Sequence, residues 1–395
     1  MEYRLQRRCD FALKALLLCC ATVLIPLSIY NLHNRGDWSL ADWLINYSSG
    51  FVRRGLIGSG FLALARMHIP VVASVLLVQL GVYGVTLVGV WRIFREVDWT
   101  FGLLLIIFSP ATLQFPLMDP GFALRKEILL YATLTFVLIF AGRMRTSWLI
   151  LSLLLIVAAM VLSHEAIFVY LPYVVAALFL VTRDLRRTLL ISLLPLIVAA
   201  LCFLSVSHHP GGASAAQAIC VAVKNTHPPH AETICGGAID YLAQTSDFAR
   251  EHVLRVSNAE HYWRVMPTLF LLSAFPFVWQ LETMRRLGQR REAFVIGGCA
   301  LLATLGSIGL FLFGTDWTRW VSIHAFCLML LCGFAASRRR NAEHDTGARP
   351  LSRSRLMVGG AALAVYALAW NLALYQPRIP LGGLVHYVVM ARRDA

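Results

Sequence analysis

The chain has 395 residues, of which 58% are hydrophobic and only 14% charged, with a mean hydropathy of +0.67, a balance that excludes an ordinary soluble globule. A formal net charge of +14 would point to nucleic acid in a soluble protein. Here the Lys and Arg residues flank apolar runs, where they act as topology signals, and no nucleic-acid partner is expected.

The apolar runs, roughly 15 to 22 residues each, are close to the length a helix needs to cross a hydrocarbon core about 30 Å thick, and strand-like alternation is absent. The expected class is therefore all-α: a single membrane domain over 1–395, a polytopic bundle of about eleven transmembrane helices with a cytoplasmic N-terminus. The spans are expected near 11–30, 70–91, 101–116, 128–142, 148–163, 166–181, 188–206, 265–281, 294–313, 319–336 and 356–375. The first follows Arg4, Arg7 and Arg8 like a signal peptide, but it lacks a small-residue cleavage site and reads as a retained helix. In this arrangement Arg92/Arg95, Arg143/Arg145, Arg183/Arg186/Arg187, the group Arg285 to Arg291 and the run Arg338 to Arg355 all fall on the cytoplasmic side.

The opposite face has a different chemistry. Its first loop, 31–69, holds GDWSLADWLINYSSGFVRRGLIGSG, too polar to cross and expected to contain a surface or re-entrant helix. Asp37 and Asp42, beside Trp38 and Trp43, could take a proton from an acceptor hydroxyl or hold a divalent metal against a diphosphate. The alternative is solvated loop acids beside an interfacial aromatic belt. Arg53 and Arg54 stand where positive charge is disfavoured, and a guanidinium pair suits a phosphate head group, special or ordinary.

The turn MDPGFALRKE adds Asp119, Arg125, Lys126 and Glu127, either a second anion clamp or a salt-bridged turn capping the next helix. LSHEAIF places His164 and Glu165 between two spans with almost no loop, a candidate proton-transfer pair or a structural turn. It lacks the second His of a zinc-protease motif. The large loop 207–263 is rich in Gly, Pro and His before a helix-like stretch from Ala238 to Val256. Within it, Cys220 and Cys235 are expected to form a disulfide in an oxidising periplasm; the irregular His spacing around them argues against zinc.

FGTDWTRWVSIHAF brings Asp316, Arg319 and His324 to the outer end of its helix, with Trp317 and Trp320 as stacking surfaces for sugar rings or as part of an aromatic belt. The segment 337–355 reads as a polar cytoplasmic linker, and LGGLVHYVVMARRDA at the C-terminus is short for a span. Neither internal repeats nor a nucleotide-binding loop are visible.

This layout resembles two groups of multi-pass glycan-assembly enzymes, the polyprenyl-phosphate-dependent glycosyltransferases of the GT-C type and the Wzy-like polysaccharide polymerases. The first likeness rests on the acidic first outer loop, Asp37 and Asp42, with further outer residues converging on it. The second rests on helix number, size, outer-loop arginines and one larger outer loop. The GT-C likeness implies that Asp37 or Asp42 is the base or metal ligand. Together they imply a bacterial inner-membrane enzyme that transfers or polymerises sugars from a polyprenyl-(di)phosphate donor at the periplasmic face for envelope polysaccharide. The partners would be the lipid-linked saccharide, a glycan acceptor, membrane lipid and other envelope-assembly proteins. No cofactor is required on this reading, although a divalent metal fits the chemistry. The absence of a large soluble C-terminal domain departs from many GT-C enzymes. A flippase for lipid-linked saccharide and a non-catalytic subunit of an assembly complex are the alternatives. A flippase would place charge or broken helices near mid-membrane.

Overall fold

The computed structural model describes residues 2–34, 36–119, 124–340 and 353–372, and every regular element among them is a helix. Seven helices are long and apolar enough to cross a membrane, so the chain is a multi-pass helical membrane protein. They are Glu2–Asn34, Val71–Phe94, Thr146–Ser163, Leu185–Ser207, Tyr262–Arg286, Arg290–Phe313 and Trp317–Arg340.

The other four expected spans are shorter. The 101–116 run divides into Phe101–Ile107 and Phe115–Met118. Pro110 disfavours the helical conformation at Ser109, and the Ile106 carbonyl accepts from Ser109 N at 3.2 Å and from Thr112 Oγ1 at 2.8 Å instead of from a residue one helical turn on. Pro172 similarly marks the start of Pro172–Thr182, after a 3₁₀ stretch over Glu165–Tyr170. Ile128–Phe140 has only 13 residues, and Arg353–Leu368 has 16.

Small residues allow close packing inside the bundle. A Cβ at Gly89 would run into Thr135 of Ile128–Phe140, and one at Gly333 would strike the Phe94 ring. Helix ends use local caps: Thr100 Oγ1 accepts from Leu103 N, Thr245 Oγ1 from Phe248 N and Asp184 Oδ1 from Arg186 N.

The first loop holds three helices, Gly36–Ser39, Ala41–Leu44 and Gly55–Arg66, where one surface or re-entrant helix is expected. In the large loop, the stretch from Ala238 to Val256 is broken at Gln244, whose backbone is extended, and the helix there is Ser246–Ala259. A further helix, Ala213–Lys224, precedes it, and Cys220 and Cys235 are disulfide-bonded, with Cα atoms 5.5 Å apart. Helix Trp317–Arg340 continues through four residues assigned to the 337–355 linker. The rest of that linker up to 352 and the C-terminal segment with Arg392 and Arg393 lie outside the described residues.

Candidate functional site

Five separate segments bring ten ionisable side chains together at one end of the bundle: Asp42, Arg53, Arg54, Arg125, Lys126, Glu127, His164, Glu165, Asp316 and Arg319. Their positions follow from helix ends. Ala41–Leu44 carries Asp42, Gly55–Arg66 begins after Arg54, Ile128–Phe140 begins after Glu127, Thr146–Ser163 ends before His164, and Trp317–Arg340 begins after Asp316.

Arg54 is central. Its guanidinium grips Glu165 from two sides, Nε to the two carboxylate oxygens at 3.0 and 2.9 Å and Nη2 to Oε1 at 2.7 Å. Its Nη1 lies 3.5 Å from Asp42, and its carbonyl accepts from Lys126 Nζ at 3.0 Å. Arg54 holds a left-handed backbone, φ 68°, which costs a non-glycine residue about 1–3 kcal/mol. The surrounding contacts over-determine that conformation. Next to it, the Arg53 backbone N–H donates to the His209 carbonyl, and its side chain reaches within 3.8 Å of Glu165.

On the far side, Arg319 bridges Glu127 and Asp316, donating at 2.6 Å to each. His164 Nε2 lies 2.9 Å from the same Glu127 oxygen. Arg125 sits between Asp42 and Asp316, 3.6 and 3.9 Å away, with its guanidinium over the Trp38 ring at 5.5 Å. Trp38 also meets Tyr241 of the large loop, with ring centres 5.7 Å apart.

Among the described residues of the cluster, five permanent or near-permanent cations thus face four carboxylates, a surplus of positive charge before His164 is counted. Buried nitrogens on Arg53, Arg125 and Arg319 have no hydrogen-bond partner among the described residues, nor does either oxygen of Asp42. Burial alone would raise the Asp42 carboxyl, but Lys126 and Arg125 outweigh it and hold Asp42 well below the usual carboxylate range. Glu127 is likewise depressed against its burial, chiefly by Arg319, and Glu165 by Arg54. Burial pushes Lys126 down to about 8, against the opposing pull of Asp42.

The carboxylates differ in access. The Asp42 side chain is 0% exposed and Glu127 5%, whereas Asp316 keeps 17% and Glu165 18%. Both oxygens of Glu165 are taken by Arg54. Asp316 is therefore the acid of the cluster best placed to meet a substrate proton.

The scaffold is specific. Trp43 Nε1 and Gln79 Nε2 both donate to the Leu124 carbonyl, at 2.8 and 3.0 Å, which ties the Asp42 helix to the Arg125 turn. Gly58 meets the Ile45 carbonyl so closely that a Cβ would collide with backbone. Gln79, Gly58 and Tyr241 were not among the sequence candidates. Gln79 had a readable signal, a lone amide within an apolar span; Gly58 and Tyr241 had none.

Several candidates are placed otherwise. Trp317 and Trp320 are buried, 6% and 4% exposed, and turn into an aromatic core with Phe311; Trp317 also meets Tyr262 and Trp263. The Trp317 indole N–H goes to the carbonyls of Phe311 and Gly314. Both are packing residues rather than platforms for a sugar, and among the three candidate indoles Trp38 is the one at the cluster. His324 is not at the outer surface: it bonds Tyr173 Oη at 2.6 Å and Ser307 Oγ at 3.1 Å within the bundle. Asn46, which with Tyr47 and Ser48 matches the Asn-X-Ser pattern of a glycosylation sequon, is wholly buried and donates to the Leu44 carbonyl. Asp119 follows the end of Phe115–Met118, beside residues outside the described set, and the side chain of Asp37 also lies outside that set. Among the described residues no group of three His, Cys, Asp or Glu is placed to hold a metal ion; guanidinium groups occupy the spaces between the carboxylates.

No protein-family model, curated protein or solved structure matches the chain.

Proposed function

We propose that this protein is a membrane glycosyltransferase or polymerase that takes a sugar from a polyprenyl-(di)phosphate donor at the non-cytoplasmic face. The observation that carries the reading is the cation surplus of the cluster, with Arg53 Nε and Arg319 Nε making no hydrogen bond and Arg125 held only at ion-pair distance, 3.6 and 3.9 Å, from its carboxylates. A diphosphate would use those donors and balance the excess charge.

Helix direction supports the side. Ile128–Phe140 and Trp317–Arg340 start at the cluster and run toward Arg143 and Arg338, while Thr146–Ser163 starts at Arg145 and ends at it. The arginine-rich ends thus lie opposite the cluster and belong to the cytoplasmic side. On this topology the remaining apolar segments complete about eleven crossings, and the location is a bacterial inner membrane.

The reaction would be attack by an acceptor hydroxyl on the anomeric carbon, with the lipid phosphate or diphosphate departing. The hydroxyl proton passes to Asp316, the accessible carboxylate. Arg53, Arg125 and Arg319 stabilise the charge that develops on the leaving phosphate, which is where fixed donors contribute most. Asp42, buried and held ionised, keeps Arg54 and Arg125 in place. Trp38, backed by Tyr241, lies under the Arg125 guanidinium and positions it at the cluster.

The test is conversion of a polyprenyl-diphosphate sugar and a glycan acceptor by the purified protein, read by mass spectrometry. Asp316→Asn is expected to lower kcat on the order of 10²–10⁴-fold, and Arg53→Met to raise KM. Absence of product, or an Asp316→Asn variant as active as the parent, would refute the reading.

A further inference from the structure

A cavity of about 630 Å³ lies between the first helix, the segment leading into Phe115–Met118 and helix Arg353–Leu368. Its walls are apolar almost throughout, with Leu16 and Cys19 on one side, Leu117 and Met118 on the second and Leu363 and Ala364 on the third. Cys19 and Leu368 are exposed, so the groove opens on the flank of the bundle, where lipid would lie.

One polar residue interrupts this lining. Gln114 is only 7% exposed; its Nε2 donates to the Phe108 carbonyl at 2.6 Å, and its Oε1 has no hydrogen-bond partner. A buried amide oxygen is costly to leave unsatisfied. Gln114 thus places one polar side chain in the wall that adjoins the ionic cluster.

The groove also adjoins the ionic cluster. The segment Gln114–Met118 is a partition between them. Gln114, Leu117 and Met118 face the groove, while Phe115 and Pro116 face a smaller space shared with Glu127 and Arg319. An apolar channel therefore ends one short turn away from buried guanidinium groups with a surplus of positive charge.

We propose that this groove holds the hydrocarbon chain of the lipid whose phosphate the cluster binds, with the head group passing the Gln114–Met118 turn to reach Arg319 and Arg125. This assignment rests on the function proposed above and adds the place of the chain. Size favours a single chain over a partner helix. The volume falls within the ~300–1,000 Å³ of small-molecule sites, and a helix about 10 Å across with a pitch of about 5.4 Å would fill it in one to two turns. Charge complementarity selects a lipid with an anionic head over a neutral one.

Photolabelling of the purified full-length protein tests the proposal, with a long-chain polyprenyl diphosphate carrying a diazirine on its chain as the probe. Labelled peptides are expected to contain Leu16 to Cys19, Leu117 and Met118, or Gly360 to Ala364. Gly360→Leu, at a glycine with open space around it, and Ala364→Trp are each expected to cut labelling at least tenfold. Excess phosphatidylglycerol is expected to leave it in place. Labelling mapped elsewhere on the parent protein, labelling unchanged in both variants, or equal displacement by phosphatidylglycerol would overturn the assignment. Labelling of the groove without any sugar transfer would reject the enzymatic reading and leave the groove standing; transfer without groove labelling would do the reverse.

Discussion

Arg54 and Glu165, 111 residues apart in sequence, are joined by three hydrogen bonds of 2.7 to 3.0 Å. The pair locks the turn between two helices onto the first outer loop and holds Arg54 in its left-handed conformation. Removing one partner leaves the other with only its longer contact, Asp42 at 3.5 Å for Arg54 or Arg53 at 3.8 Å for Glu165, at a cost below the roughly 3–5 kcal/mol of a fully buried pair. Glu165→Ala is therefore expected to lower the thermal midpoint of the detergent-solubilised protein more than the double variant Arg54→Ala/Glu165→Ala does relative to Arg54→Ala. The double-mutant cycle should give a coupling of about 0.5–3 kcal/mol. Additive effects would mean that the fork does not hold the two segments together.

Gly58 has no room for a side chain because the Ile45 carbonyl stands where its Cβ would be. Gly58→Ala should displace the short helix that carries Asp42 and lower both stability and activity. Gly60→Ala, two residues along with nothing near it, is the control and should behave as the parent. Equal behaviour of the two variants would contradict this packing.

Burial holds Lys126 at about 8, so it is charged at pH 7 and loses its proton as pH rises through that value. Because its folded pKa lies below the ordinary 10.5, burial of the charged form opposes folding below about pH 8, and this cost is relieved as pH rises from there toward 10.5. Anion binding has the opposite sign, since deprotonation removes a cation from the cluster. Affinity for inorganic diphosphate, measured by calorimetry, is expected to fall between pH 7 and 9. Lys126→Met should bind more weakly at pH 7 and show no such fall. A parent profile that stays flat across this range would show that Lys126 does not contribute to the anion site.

The Cys220–Cys235 disulfide closes a loop with a sequence separation of 15, for which the chain-entropy estimate is about 3 kcal/mol. The loop leads to Tyr241, which packs on Trp38 at the cluster. Cys220→Ser/Cys235→Ser is expected to make the 213–245 segment cleavable by limited proteolysis while the bundle stays intact. Cleavage at the same rate in parent and variant would indicate that helix packing alone holds this loop.

Much of the cluster was legible in the sequence because charge is rare in this chain. Arg53, Arg54, Arg125, Lys126, His164, Glu165, Asp316 and Arg319 stand out beside apolar runs, and the positive-inside pattern assigns their loops to one face. Their partners were not legible, since Arg319 meets Glu127 across 192 residues and sequence spacing says nothing about such pairs. Trp317 and Trp320 look like Trp38 in sequence, but only packing shows that two of the three face the core. The expected spans at 101–116 and 166–181 contain apolar runs of adequate length, and the breaks at Pro110 and Pro172 shorten their helices. The Gln114 groove was invisible because three distant apolar segments form it together.

On the proposed function, a lipid-linked diphosphate binds at the arginine cluster on the non-cytoplasmic face. The most direct measurement is an electron cryomicroscopy structure of the protein in a lipid nanodisc with a polyprenyl diphosphate sugar. Diphosphate density is expected within hydrogen-bond reach of Arg53, Arg125 and Arg319. Density instead in a mid-membrane cavity beside His324, open in turn to each side and formed without turnover, would contradict it and favour a transporter.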